Sequence, residues 1–141
     1  MDPIRVLVVD DEIDFATAVV ERLKRRGLRA TAVFSGREAL ESVSENEYDA
    51  VVLDLKMPGM DGVETLRAIR QTDPDVQVLV LTGHGTVSAG IDGMQSGAAD
   101  FLQKPVSIET LCTSIEAAAD RSRINRHSRM ERNDNPKGEQ I

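Results

Sequence analysis

The chain has 141 residues and a mass of 15.4 kDa, the size of one compact domain, so a catalytic module joined to a separate full-sized DNA-binding domain is not expected. With 40% hydrophobic and 29% charged residues it can close a core, and a mean hydropathy of -0.27 without a long apolar run excludes a membrane span. The net charge of -7 is uneven, because the first 120 residues hold 11 Lys+Arg against 21 Asp+Glu whereas the last 21 hold 6 against 3. An acidic body does not attract nucleic acid by bulk electrostatics, and a short basic tail without a reading element binds it only weakly and without sequence preference. The start, Met1-Asp2-Pro3-Ile4-Arg5, lacks the pattern of a signal peptide and predicts a cytoplasmic protein. The single cysteine, Cys112, cannot form an internal disulfide or build a thiolate metal site, and its apolar neighbours predict an inert, buried thiol.

Five short apolar runs alternate with longer segments of helical periodicity. Ile4–Val9 is followed by Phe15/Ala16/Val19/Val20/Leu23, and Leu28–Phe34 by Ala39/Leu40/Val43. Ala50–Leu53 precedes Val63/Leu66/Ile69, Val76–Leu81 precedes Val87/Ile91/Met94, and Ala98–Leu102 precedes Ile108/Leu111/Cys112/Ile115/Ala118/Ala119. The pattern predicts (βα)5, an α/β fold with a doubly wound, five-stranded parallel sheet. Val6–Val9, Val51–Leu53 and Val78–Leu81 are continuously apolar, as strands covered on both faces must be. Gly27 ends the first helix, Ser35 and Asp61 are positioned to cap the second and third, and Asp73-Pro74 stops the third. Gly90 and Gly93 each cost about 1 kcal/mol relative to Ala inside the fourth helical pattern, making it the weakest; the two glycines serve either a bistable element or close packing, and the residues do not favour one over the other. Beyond Asp120 the residues are almost all polar, and the last helix is expected to run on a little and then fray.

In such sheets ligands collect at the carboxyl ends of the strands. Those ends here carry Asp10-Asp11-Glu12, Asp54, Thr82-Gly83 and Lys104-Pro105. Neighbouring carboxylates repel one another unless a cation intervenes, and hard oxygen ligands suit Mg²⁺. Asp54, directly after Val51-Val52-Leu53, is placed to act as a nucleophile in phosphoryl transfer, with Lys104 neutralising the transferring oxygens and Thr82 donating its hydroxyl.

Val8-Val9-Asp10-Asp11-Glu12, Leu53 to Gly62 (LDLKMPGMDG), Leu81-Thr82-Gly83-His84-Gly85 and Asp100 to Pro105 (DFLQKP) resemble the receiver domain of two-component response regulators, of the CheY-like superfamily and most of all receivers of the NtrC type. The resemblance implies a receiver over residues 1–120 and a basic, polar extension over 121–141. It implies that Asp54 is the phosphoacceptor for a sensor histidine kinase or a phosphotransfer protein, and that Asp10, Asp11, Asp54 and the Lys56 backbone carbonyl organise Mg²⁺. Thr82 and Lys104 would contact the phosphoryl group, Thr82 and Phe101 would form the switch, and Lys104–Pro105 would be cis. His84, at the rim, would tune phosphoryl lifetime. The output would pass to a downstream protein of unknown identity, a homodimer being admitted and specific nucleic-acid binding disfavoured. Such a protein catalyses its own phosphorylation and dephosphorylation without being a turnover enzyme. The alternative is a small Mg-dependent phosphohydrolase of the haloacid dehalogenase type. That family places a second catalytic Asp two residues after the nucleophile, where this chain has Lys56, and its acid pair comes late in the chain.

Overall fold

The computed structural model describes residues 2–56, 62–83 and 94–134. In chain order these form β1 (Arg5–Val9), α1 (Ile13–Arg25), β2 (Arg29–Val33), α2 (Gly36–Glu45), β3 (Ala50–Leu53), α3 (Gly62–Thr72), β4 (Gln77–Thr82), β5 (Asp100–Gln103) and α4 (Ile108–Asp134). The strands are all parallel, in the order β2-β1-β3-β4-β5. This is the expected doubly wound sheet. The Asp61 cap, His84, Gly85 and the pattern with Val87, Gly90, Ile91 and Gly93 lie outside the described residues, while Met94 and Gln95 are helical.

The uninterrupted apolar runs follow from burial on both faces. Leu7, Val9, Val51, Leu53, Val78 and Val80 point to one side, where they pack with Ala39 and Val43 of α2 and Leu66 and Ile69 of α3. Val6, Val8, Ala50, Val52, Leu79 and Leu81 point to the other, against Ala16, Val20 and Leu23 of α1 and Leu111, Cys112, Ile115 and Ala118 of α4. Successive side chains alternate across a strand, so one run fills two cores. The helix ends are set locally. The Ser35 hydroxyl accepts from the Glu38 N–H at 3.1 Å while the Glu38 carboxylate accepts from the Phe34 N–H at 2.9 Å, a reciprocal cap at the start of α2. Gly27, at φ +89°, leaves α1 in the left-handed region.

Cys112 is buried, and that burial pushes its thiol above the ordinary range. Its thiolate fraction at pH 8 is therefore small. A disulfide reagent such as dithionitrobenzoate should label the native protein more than about tenfold slower than the urea-unfolded chain; equal rates would show that the thiol is accessible.

The expected early fraying of the last helix is corrected: α4 runs 27 residues, to Asp134. The reason is a ladder of side chains one helical turn apart. Arg123 forks onto Asp49 with Nε–Oδ1 and Nη2–Oδ2 distances of 3.1 Å, and its Nη2 also donates to the Asp2 and Pro3 carbonyls. Arg126 forks onto Asp73 at 3.0 and 2.8 Å and donates to the Tyr48 carbonyl at 2.6 Å. Arg129 reaches Asp75 at 2.9 and 3.1 Å. Asp49, Asp73 and Asp75 stand just before β3 and β4, so the ladder ties α4 to the amino ends of the strands. Three of the arginines that make the tail basic are therefore held by the acidic body, which lowers its attraction for nucleic acid further.

Candidate functional site

The strand order places a switch point between β1 and β3, where the connections leave to opposite sides of the sheet and open a crevice at the carboxyl ends. Asp10 follows β1 and Asp54 follows β3 there. Their backbones are held by the ladder, the Asp10 N–H donating to the Val33 carbonyl at 3.2 Å and the Asp54 N–H to that of Val9 at 3.0 Å. Both side chains are buried. One Asp10 oxygen accepts from the Glu12 N–H at 2.9 Å, and Asp54 Oδ1 accepts from the Lys56 N–H at 2.9 Å. Their remaining oxygens face Lys104.

Lys104 reaches this point from the end of β5, where its N–H donates to the Thr82 carbonyl at 3.0 Å and the Lys104–Pro105 bond is cis. Its Nζ lies 2.8 Å from Asp10 Oδ2, 3.2 Å from Glu12 Oε1 and 3.8 Å from Asp54 Oδ2. The first two are hydrogen bonds and the third is an ion pair without one. The Thr82 hydroxyl is buried and makes no hydrogen bond of ordinary geometry. Such a group costs free energy unless something arrives to accept from it. Asp11, Glu12, Asp54, Lys56, Thr82, Gly83 and Lys104 line one open cleft of about 630 Å³.

The electrostatics follow from this crowding. Burial raises the Asp54 carboxyl above its ordinary range; the Lys56 N–H opposes that, the Asp10 charge adds to it, and Lys104 and, last, Thr82 work against it. Burial also works against the charge on Lys104, but the hydrogen bond and charge of Asp10, then Glu12 and Asp54, hold its ammonium above the ordinary range. The site thus keeps a cation firmly protonated beside a carboxylate that is costly to ionise. The carboxylates of Asp10, Glu12 and Asp54 offer oxygens all within 4.8 Å of one another. This all-oxygen set suits a hard divalent cation, which would offset the like charges.

Of the residues expected from sequence, Asp11, Asp54, Lys56, Thr82 and Lys104 share the cleft, and Asp10 lies buried beside it, paired with Lys104. Asp11 is exposed, as is Lys56. Phe101 is not in the cleft lining; it is partly buried against the core on the α2 and α3 side. Glu12 belongs to the acidic cluster without having been assigned a ligand role. Its signal was its place directly after Asp10-Asp11. Phe15, whose ring lies under the Lys104 ammonium, carried no such signal, because helical periodicity reads it as core.

This arrangement of strand-end acids, hydroxyl and lysine coincides with a match of residues 6–116 to the response regulator receiver domain family model, and the chain belongs to that family. It is the receiver class of two-component phosphorelays. The transcriptional regulatory protein ZraR of Escherichia coli strain K12 is 37% identical over 117 residues, which cover 83% of this chain and 26% of that protein. Among solved structures, the receiver domain of a putative Luxo repressor protein from Vibrio parahaemolyticus has a TM-score of 0.82 at 31% identity, covering 90% of this chain and 98% of that one. NtrX from Brucella abortus has a TM-score of 0.83 at 29% identity over 90% of this chain and 29% of that one. ZraR and NtrX are relatives of the NtrC type. The chain spans about a quarter to a half of the length of the curated relatives it matches. Among the described residues no helix is long and apolar enough to cross a membrane.

Proposed function

We propose that Asp54 is the phosphoacceptor of this receiver, charged by a phosphohistidine on a sensor kinase or phosphotransfer protein in the cytoplasm. The observation that carries the reading is the convergence of a buried Asp54, a charged Lys104 and a buried Thr82 hydroxyl on one cleft. An Asp54 oxygen attacks phosphorus, a P–O bond forms as the P–N bond breaks, and the leaving imidazole keeps its electron pair and takes up a proton. Lys104 neutralises charge on the transferring oxygens and Thr82 donates its hydroxyl to one of them. Asp10, Asp11, Asp54 and the Lys56 carbonyl would hold Mg²⁺, with Glu12 near enough to assist, and the ion would supply the remaining positive charge. Residues 1–120 serve as the receiver, and 121–141 as a basic extension. Thr82 and Phe101 carry the change of state outward, on β4 and β5, to a protein partner or a second copy. Hydrolysis of the aspartyl phosphate in the same site ends the signal.

The test is intact mass after incubation with acetyl phosphate and Mg²⁺, for the parent and for Asp54→Asn. The parent should gain one base-labile phosphoryl group and the variant none. An adduct of equal yield on Asp54→Asn would sink the assignment. The variant has a second expected property. A carboxyl whose folded pKa is raised destabilises the fold as pH rises from its unfolded value through the folded one, so at neutral pH its ionised form opposes folding. Asp54→Asn should therefore melt higher than the parent at pH 7.

A further inference from the structure

Lysine is a flexible, strongly hydrated point charge, and something must hold its ammonium where the phosphoryl group arrives. Carboxylates alone do this ambiguously here, because Asp10, Glu12 and Asp54 all compete for Nζ within 3.8 Å. The Lys104 side chain is nevertheless only 13% exposed, and carboxylates are not its only cover. The Phe15 ring lies beneath it, with Nζ 4.0 Å from the ring centroid. Phe15 is on the first turn of α1, directly after the acid run, partly buried and packed with Val19, Val106 and Ile108 against the core of that face. Its ring is therefore fixed by the fold. Gly83 also borders the stem, its Cβ position lying at ordinary contact distance, 3.5 Å, from Lys104 Cδ. Packing alone would be served by Leu or Ile, which fill the same space without a negative face. A π face at this distance from a cation supplies both attraction and direction.

We propose that Phe15 is a positioning residue for phosphoryl transfer, seating the Lys104 ammonium by a cation–π contact so that it stays within reach of Asp54. The inference rests on the reading of Asp54 as phosphoacceptor. The ring acts through Lys104. Its role is to limit the positions of a charge that three carboxylates would otherwise share.

The experiment is the rate of phosphoryl adduct formation from acetyl phosphate at saturating Mg²⁺, with Mg²⁺ affinity and melting temperature measured on the same proteins. Phe15→Leu should slow phosphorylation roughly three- to tenfold with Mg²⁺ affinity within about twofold of the parent, and Phe15→Tyr, which keeps the π face, should restore the parent rate. Phe15→Met, similar in volume and lacking a ring, should behave as Phe15→Leu and serves in its place if that variant folds poorly. A leucine or methionine variant as fast as the parent, or a tyrosine variant as slow as leucine, overturns the proposal while leaving Asp54 as the acceptor. Failure of the parent itself to form an adduct that Asp54→Asn abolishes overturns both.

Discussion

Arg126→Ala should lower stability by about 3 kcal/mol, the largest loss expected from any single surface-helix substitution in this chain. The side chain is only 17% exposed and its partner Asp73 only 14%. The guanidinium satisfies both Asp73 oxygens and the Tyr48 carbonyl together, and Glu47 lies 3.7 Å from its Nε. Truncation strands a carboxylate and a carbonyl under the helix, and the cost comes from those orphans more than from the attraction lost. Asp73 also accepts from the Asp75 N–H at 3.1 Å, so the turn before β4 should loosen with it. Arg126→Lys should recover only part of the loss, because an ammonium cannot serve both oxygens of the fork in plane. Exposed Arg121→Ala is the control and should stay within about 0.5 kcal/mol. Urea denaturation followed by far-UV circular dichroism measures all three, and a melting shift of roughly 10 °C is expected for Arg126→Ala. A loss below about 1 kcal/mol would mean that the ladder is only decorative.

The second large effect is at Gly62, and there local propensity predicts the wrong sign. Replacing Gly with Ala inside a helix stabilises it by about 1 kcal/mol when nothing else changes. At Gly62, however, a Cβ would lie 2.3 Å from the Leu55 carbonyl oxygen and 2.4 Å from Leu55 Cα. Those are backbone atoms, which cannot rotate aside as a flexible side chain would, so the start of α3 or the Leu55 segment must shift. Overpacking of this kind costs about 3 kcal/mol, which outweighs the propensity gain. Leu55 lies between Asp54 and Lys56, so the shift also strains the 2.9 Å hydrogen bond from the Lys56 N–H to Asp54 and displaces the Lys56 carbonyl. Gly62→Ala should therefore be both less stable and at least about tenfold slower in forming the acetyl phosphate adduct. A variant as stable and as reactive as the parent would show that α3 can retreat freely.

The contrast between these two sites and the rest of the molecule explains what could be read from the chain. Val6 to Val9, Val51 to Leu53 and Val78 to Leu81 announce central strands because burial on both faces leaves no polar position, and the sheet is as those runs require. Asp10, Asp54, Thr82 and Lys104 were legible because each ends a strand or directly follows one, and the parallel topology brings strand ends together whatever the intervening helices do. The ladder was not legible. Arg123, Arg126 and Arg129 meet carboxylates 74, 53 and 54 positions away, and no local pattern distinguishes an arginine awaiting such a partner from a solvated one. Judged by its neighbours, the segment after Asp120 is a polar tail; judged by Asp49, Asp73 and Asp75, it is the end of a packed helix. Phe15 was hidden for the converse reason, since its core periodicity is real and conceals the cation above it.

The sheet also divides the interior. Leu7 and Val9 belong to one apolar cluster and Val6 and Val8 to the other, with a single layer of backbone between them. Interior substitutions couple strongly only when they share neighbours. The molecule therefore has two interiors that can be repacked separately: a change of volume beneath α2 and α3 can be compensated there, without disturbing the side chains that α1 and α4 press against the opposite face.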